Sequence, residues 1–346
     1  MVSYSLQVPM FSKLTYLWLL NHKLFYIIFM KIVTLTLNPA LDKSSSVERL
    51  MPEQKLRSAA MQLDAGGGGI NVSKGIAKLG GNSIAVFPVG GHNGQVLQEL
   101  VASAGITTAI VPVQGETREN ISILDTSTNL QYRFTLPGAA LSLADAQACL
   151  DMVRSHKPDI LVASGSLPPG LPETFFEEVA VLAKEIGAKF ILDTSGKPLL
   201  NAANEGLFLF KPNLSELSAL SGIEGDLELN LVDDAALKII KQGKCEVVVV
   251  SLGPQGALLV TKDGFEHIPA PMVKKVSTVG AGDSMVAGMV WALGEGKSYR
   301  EMVQTGVACG SAATMNTGTR LFDYKEAMKL LAWIQEFGDR FKFTDF

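Results

Sequence analysis

The stretch "STVGAGDSMVAG", residues 277–288, joins a glycine-rich turn to a helix that is apolar on every side (Met285, Val286, Met289, Val290, Trp291, Leu293). Such a helix belongs in a core, so its N-terminus is aimed rigidly from the middle of a domain. Free N–H groups and the helix dipole suit that end to an anion, and Gly280 and Gly282 allow backbone to approach a ligand closely. Yet the turn carries a carboxylate, Asp283. Phosphoryl transfer reconciles the two, because a donor phosphate needs a cradle of N–H groups while the acceptor hydroxyl needs a group to take its proton. Asp283 is read as that base rather than as a simple helix cap.

Other glycine-rich readings fail. A P-loop ending in "GEGKS" (294–298) would need glycine at position 291, where Trp291 stands. Dinucleotide fingerprints starting at Gly280 or Gly67 would need glycine where Met285 and Val72 stand. Hydride transfer to a nicotinamide loses its support.

Outward from this stretch, short β-branched runs alternate with amphipathic segments, as in parallel βαβ units. "KIVTLTL", "SIAVFPVG", "DILVASG", "KFILDTSG", "LFLFKPN" and "EVVVVSLG" read as strands buried on both faces. Helices are expected at 94–104, 142–155, 173–186, 214–221, 233–242, 282–293, 299–315 and 324–336, and "NVSKGIAKLGG" sets Val72, Ile76 and Leu79 on one helical face. The segments at about 42–64 and 119–137 alternate with period two and contain the turn-like "TSTN", so they read as antiparallel strands beside the main sheet. The expected fold is α/β, a mostly parallel sheet covered by helices on both faces, with a small antiparallel lid whose apolar side can pair with a second subunit.

At 346 residues, 47% hydrophobic and 18% charged, the chain suits one large domain, read as residues 31–338, followed by a tail at 339–346. A formal net charge of −4 argues against a nucleic-acid binder. The three cysteines are odd in number and widely spaced, which indicates reduced, cytoplasmic thiols. The four histidines form no metal-binding cluster. Residues 1–30 are broken by Lys13, Asn21, His22 and Lys23 into runs too short for the ~20 residues of a membrane span, so no stable insertion is expected. They read as an N-terminal extension, disordered or not native, with Met30 standing directly before the first strand.

"GGGGINVSKGIAKLGG" (66–81) and "STVGAGDSMVAG" resemble the two signatures of the ribokinase-like PfkB family of carbohydrate kinases. "TLTLNPALD", "KLR", "SGSLPPG", "KPNLSELSAL", "VVVSLGPQGALLV" and "GSAATMNTGTRL" extend the resemblance from about residue 31 to 337, and it is greatest to the 6-phosphofructokinase branch. It implies a ribokinase-like fold, a lid that forms a homodimer, and ATP-dependent phosphorylation of the 1-hydroxyl of fructose 6-phosphate in glycolysis. Fructose 1-phosphate and tagatose 6-phosphate are the alternative acceptors, and a non-catalytic sugar-phosphate regulator is the alternative of another class. The resemblance makes Asp283 the base and the amides of Ala281, Gly282 and Asp283, after Gly280, the anion hole. Asp42, Gly67, Gly68, Asn71 and Ser166 would face the sugar, with Lys55 and Arg118 on its phosphate. Lys211, Ser251, Gly253, Gly256 and Asn316 would lie on the ATP side. Asn213 and Glu216 would organise Mg²⁺ through water, although a helix capping box explains the same two letters. Asn316 and Gly318 would border the adenine pocket or a monovalent-cation loop.

Overall fold

The computed structural model describes residues 30–223, 227–316 and 320–341; residues 1–29, most of the expected tail and Gly318 lie outside them. Strands are β1 (Ile32–Leu35), β2 (Ala40–Val47), β3 (Gln62–Gly66), β4 (Ile84–Val89), β5 (Thr107–Pro112), β6 (Arg118–Asp125), β7 (Leu130–Thr135), β8 (Ile160–Ser164), β9 (Lys189–Asp193), β10 (Leu207–Phe210), β11 (Cys245–Ser251), β12 (Ala257–Thr261) and β13 (Gly264–Ile268). Nine of them form the main sheet in the order β13-β12-β11-β10-β9-β8-β1-β4-β5. It is parallel from β5 to β11 and antiparallel only at the β12 and β13 edge.

The helices are α1 (Gly68–Lys78), α2 (Gly91–Ser103), α3 (Leu143–His156), α4 (Phe175–Ile186), α5 (Lys197–Ala203), α6 (Leu214–Ser221), α7 (Val232–Lys241), α8 (Ala281–Gly294), α9 (Tyr299–Ala313) and α10 (Tyr324–Phe337). Val72 and Ile76 of α1 pack with α8, Met302 of α9 and Ile334 of α10 on one face of the sheet. The opposite core draws on α3 to α7, through residues such as Leu150, Phe176, Leu199, Leu217 and Ile239. Both faces are therefore covered, which accounts for the unbroken apolar runs of the inner strands.

Strand order reverses at β1, whose neighbours are β8 and β4. A crevice forms at such a switch point, beyond the carboxyl ends of the strands. The glycines of the 66–69 run fill it by contact. A Cβ on Gly68 would lie 2.2 Å from the Ser164 hydroxyl at the end of β8, and one on Gly69 would lie 2.5 Å from the Thr36 hydroxyl after β1. Gly67 has φ +116°, a conformation L side chains rarely adopt.

Four strands form the second sheet, in the order β3-β2-β6-β7. Its outer pairs are antiparallel, whereas β2 and β6 run parallel. That middle pairing differs from an all-antiparallel lid because β3 to β5 intervene between the two strands, and a long crossover permits either direction. Register gives the sheet two chemically distinct faces. Asp42, Asn120, Thr135, Ser122 and Arg133 align on one, and Leu63, Ile121, Ile123, Tyr132 and Phe134 on the other. Tyr132 and Phe134 are exposed on the apolar side.

Gly75 of α1 lets α8 approach so closely that an added Cβ would sit 2.4 Å from the Cβ of Ala287. Gly75→Ala is expected to lower unfolding free energy by about 1–3 kcal/mol in urea titration, since overpacking a rigid helix contact costs that much. An unchanged midpoint would show that the two helices can separate freely.

Candidate active site

Asp283 occupies the first turn of α8, whose N-cap Gly280 is left-handed at φ 73°. Gly280 closes on Leu321, to which an added Cβ would approach within 2.9 Å. The Ala281 amide donates to the Thr278 carbonyl at 3.3 Å, so that member of the expected anion hole is already engaged by the turn. The amides of Gly282 and Asp283 keep no backbone acceptor among the described residues and face outward with the helix dipole.

The Asp283 carboxylate accepts a 2.8 Å hydrogen bond from the Asn71 side-chain amide. Burial, reinforced by the Asp193 carboxylate, pushes Asp283 up to about 6, against the opposing pull of Asn71, Lys211 and Lys74. A base so tuned is ionised at neutral pH yet more basic than an ordinary aspartate. Lys211 is 9% exposed and forms an ion pair with Asp193 at 3.5 Å. Burial alone would lower its ammonium, but Asp193, Glu216 and Asp283 together hold it above its ordinary value. Its Nζ lies 3.9 Å from where a Gly282 Cβ would be, so a fixed positive charge flanks the open helix end.

Beneath the lid, a cavity of about 300 Å³ brings together Asp42, Gly67, Asn71, Asn120, Arg133, Gly280 and Asp283. The Asn120 amide donates to Asp42 at 2.7 Å. Burial raises Asp42 above the usual carboxylate range, although Asn120, Lys74 and Arg118 oppose it. The Oδ1 atoms of Asn71 and Asn120 are buried without a partner. Two acceptors left unpaired in a polar cavity are costly unless a ligand supplies donors, and hydroxyl groups would do so.

A second cavity of about 610 Å³ shares Thr135 with the first and contains Arg118, Asn38 and Ser166. Arg118 donates to the Asn38 carbonyl through Nε at 3.3 Å and Nη2 at 3.0 Å, while the Asn38 amide reaches the Ser166 hydroxyl at 3.1 Å. Lys55 is exposed between β2 and β3 and lines neither cavity.

On the other side of α8, Asn213 and Glu216 form a complete capping box at the start of α6, each accepting from the other's backbone amide at 2.9 Å. Both side chains are thus engaged locally. Ser251 bonds the Pro212 carbonyl through its amide at 2.8 Å and its hydroxyl at 3.2 Å, tying β11 to this corner. Gly253 (φ +60°) and Gly256 (φ +101°) shape the following turn. Asn316 donates to the Leu321 carbonyl at 2.7 Å, beside the Val276 and Ser277 amides, which bond the Thr314 carbonyl.

Four site residues escaped the sequence reading: Asp193, Lys74, Asn120 and Arg133. The last two share the polar period of the lid strands with Asp42, and that alternation was the available signal.

Residues 35–326 match the pfkB family carbohydrate kinase domain. The chain belongs to the pfkB family of carbohydrate kinases. It is 43% identical over 309 residues to ATP-dependent 6-phosphofructokinase isozyme 2 of Escherichia coli, covering 88% of this chain and 99% of that enzyme. It is 38% identical to 1-phosphofructokinase of Xanthomonas campestris, covering 75% and 83%. The solved structure of Escherichia coli phosphofructokinase-2 in complex with potassium aligns with a TM-score of 0.85 at 43% identity, over 89% of this chain and 100% of that one. As a member of this family the chain is a sugar-phosphate kinase.

The elevated Asp283 sets a pH dependence. Acidification through about pH 6 protonates the base, so kcat is expected to be full above that pH and to fall tenfold per unit below it. A carboxylate that binds its proton more tightly when folded destabilises the folded state once ionised. Asp283→Asn is therefore expected to lower kcat by about 10²–10⁴ while raising Tm at pH 7.5. A lowered Tm would contradict the strained ionisation.

Proposed function

We propose that the kinase transfers the γ-phosphoryl group of ATP to the 1-hydroxyl of fructose 6-phosphate, yielding fructose 1,6-bisphosphate and ADP. The observation that carries this reading is the placement of Asp283 between an open helix end and a polar cavity with two orphaned amide oxygens. Identity to the 6-phosphofructokinase of Escherichia coli across nearly its whole length supports the choice of acceptor.

In this reading Asp42, Asn71 and Asn120 hold the sugar hydroxyls, and the neighbouring cavity receives the 6-phosphate on Arg118, Ser166 and Asn38. Arginine suits that task by its planar fork. Gly67 and Gly68 let the sugar lie against backbone. Asp283 takes the proton of the 1-hydroxyl as its oxygen attacks the γ-phosphorus, and ADP leaves with the electron pair of the broken bond. The Gly282 and Asp283 amides and Lys211 stabilise the charge on the transferred group. The adenosine end lies toward Ser251, Gly253, Gly256 and Asn316.

Among the described residues no three His, Cys, Asp or Glu side chains converge on a resident metal site. Asp193 and Glu216, both near Lys211, fit a magnesium ion that arrives on the nucleotide, since such an ion needs only one or two carboxylates beyond phosphate oxygens. With Asn213 and Glu216 held in a capping box, they would reach it through water. Magnesium supplies charge neutralisation on the phosphates when bound. Escherichia coli phosphofructokinase-2 has been solved in complex with potassium, and in our reading a monovalent cation would bind this chain at the loop that holds Asn316.

The apolar lid face built by Leu63, Ile121, Tyr132 and Phe134 supports a homodimer through the lid, with Lys55 free to serve a neighbouring subunit. A relative has been solved as a tetrameric inhibited form. Three buried, unbridged cysteines are in keeping with a cytoplasmic enzyme. Phe134→Asp is expected to shift sedimentation toward the monomer, whereas an unchanged species would place the interface elsewhere.

ADP release measured with Mg-ATP and each of fructose 6-phosphate, fructose 1-phosphate and tagatose 6-phosphate tests the acceptor. The highest kcat/KM is expected for fructose 6-phosphate. Preference for another sugar phosphate would rename the substrate, and no turnover with any would overturn the kinase assignment in favour of a silent binder.

A further inference from the structure

Asp42 and Asp64 lie directly opposite each other where β2 pairs with β3. Like charges in that position are destabilising. The polar face they share is turned toward α1, and Lys74 of α1 answers both. Its ammonium donates to the Ala65 carbonyl of β3 at 2.9 Å, next to Asp64 and one residue from Gly66. An added Cβ on Gly66 would lie 2.3 Å from the Asp42 carboxylate, so that contact also locates Asp42 at this corner. Lys74 follows Asn71 by three residues, which sets both on one face of α1. Asn71 holds Asp283. One helix face thus grips the lid with one side chain and the base with another.

We propose that Lys74 is a positioning residue, the shared counter-ion of Asp42, Asp64 and Asp283, which keeps the acceptor-binding carboxylate ionised and couples the lid strand to the base. This rests on the fructose 6-phosphate kinase reading for its substrate, but its charge balance does not depend on that reading.

The electrostatics around the ammonium agree. Burial lowers Lys74 from its ordinary value, while Asp64, Asp42 and Asp283 raise it and Lys78 on the same helix lowers it. Arg118 also faces Asp42 from β6, and Asp193 and Lys211 face Asp283 from the sheet side. Arg118 already bonds the Asn38 carbonyl, and Lys211 is paired with Asp193. Lys74 is the cation that these interactions connect to all three carboxylates.

The test compares Lys74→Met, Lys74→Arg and the double variant Lys74→Met with Asp64→Asn. For Lys74→Met, KM for fructose 6-phosphate is expected to rise about tenfold, as loss of about 1.4 kcal/mol would give, with KM for ATP unchanged. The acidic limb of kcat/KM should move up by about one pH unit, and Lys74→Arg should restore both. Thermal unfolding supplies a readout independent of substrate. Lys74→Met should lose Tm at pH 7.5 and recover part of it near pH 5, where Asp283 is protonated, and the double variant should recover part of it at pH 7.5. A Tm loss equal at both pH values, with no rescue by arginine or by removal of Asp64, would mean simple packing and overturn the proposal. An unshifted sugar KM and acidic limb in a folded Lys74→Met would overturn it as well. If the wild type accepts no ketohexose phosphate while the Tm pattern holds, the substrate reading fails and the counter-ion role stands.

Discussion

A single constraint organises the molecule: a carboxylate must stay ionised at the mouth of a helix buried along nearly its whole length. The α8 core segment Ser284–Val290 is buried, so Asp283 cannot turn away into solvent as a surface aspartate would. Burial and the Asp193 charge oppose its ionisation; the Asn71 bond, Lys211 and Lys74 support it. The balance leaves a carboxylate pushed up to about 6, more basic than an ordinary aspartate and still ionised at neutral pH. It also explains why negative charge is tolerated beside an anion cradle, because the helix dipole and two lysines compensate for it.

The close packing behind α8 serves that placement. Gly75 admits Ala287, Gly306 admits Met289, and Gly288 approaches the Thr305 carbonyl, so α1, α8 and α9 form a dense stack under the crevice. The lid completes the site from above. Its strict alternation commits one face to hydroxyls and charges and the other to apolar contact, and a slip of one residue would exchange them. The polar face that lines the cavity and the apolar face exposed on the other side are therefore fixed together by the register of a single small sheet.

Much of this was legible in the letters. Inner strands announced themselves by unbroken β-branched runs, and the glycine turn that opens an apolar helix with Asp283 in its first turn was legible as well. Strands β5, β12 and β13 and helix α5 were not separately legible. β5 is an edge strand with a mixed burial pattern, and α5 is short and carries Pro198 in its first turn. The parallel pairing of β2 with β6 was hidden because register between distant segments is a tertiary property. Among site residues, Asp42 and Asn71 could be inferred from their motifs. Asn120 and Arg133 were marked only by the polar alternation they share with Asp42, and Lys74 by nothing local, since each reaches its place only when the lid lies over α1. The Asn213 and Glu216 pair shows the reverse case, in which a pattern suited to a ligand site forms a complete helix capping box.

Phosphoryl transfer in this site requires the acceptor hydroxyl to lie beside Asp283. The most direct measurement is a crystal structure with fructose 6-phosphate and a non-hydrolysable ATP analogue bound together. It should show the 1-hydroxyl hydrogen-bonded to Asp283, the γ-phosphate analogue on the Gly282 and Asp283 amides, and the sugar phosphate at Arg118. A sugar seated with its 1-hydroxyl remote from Asp283, or a nucleotide bound away from the α8 N-terminus, would contradict it.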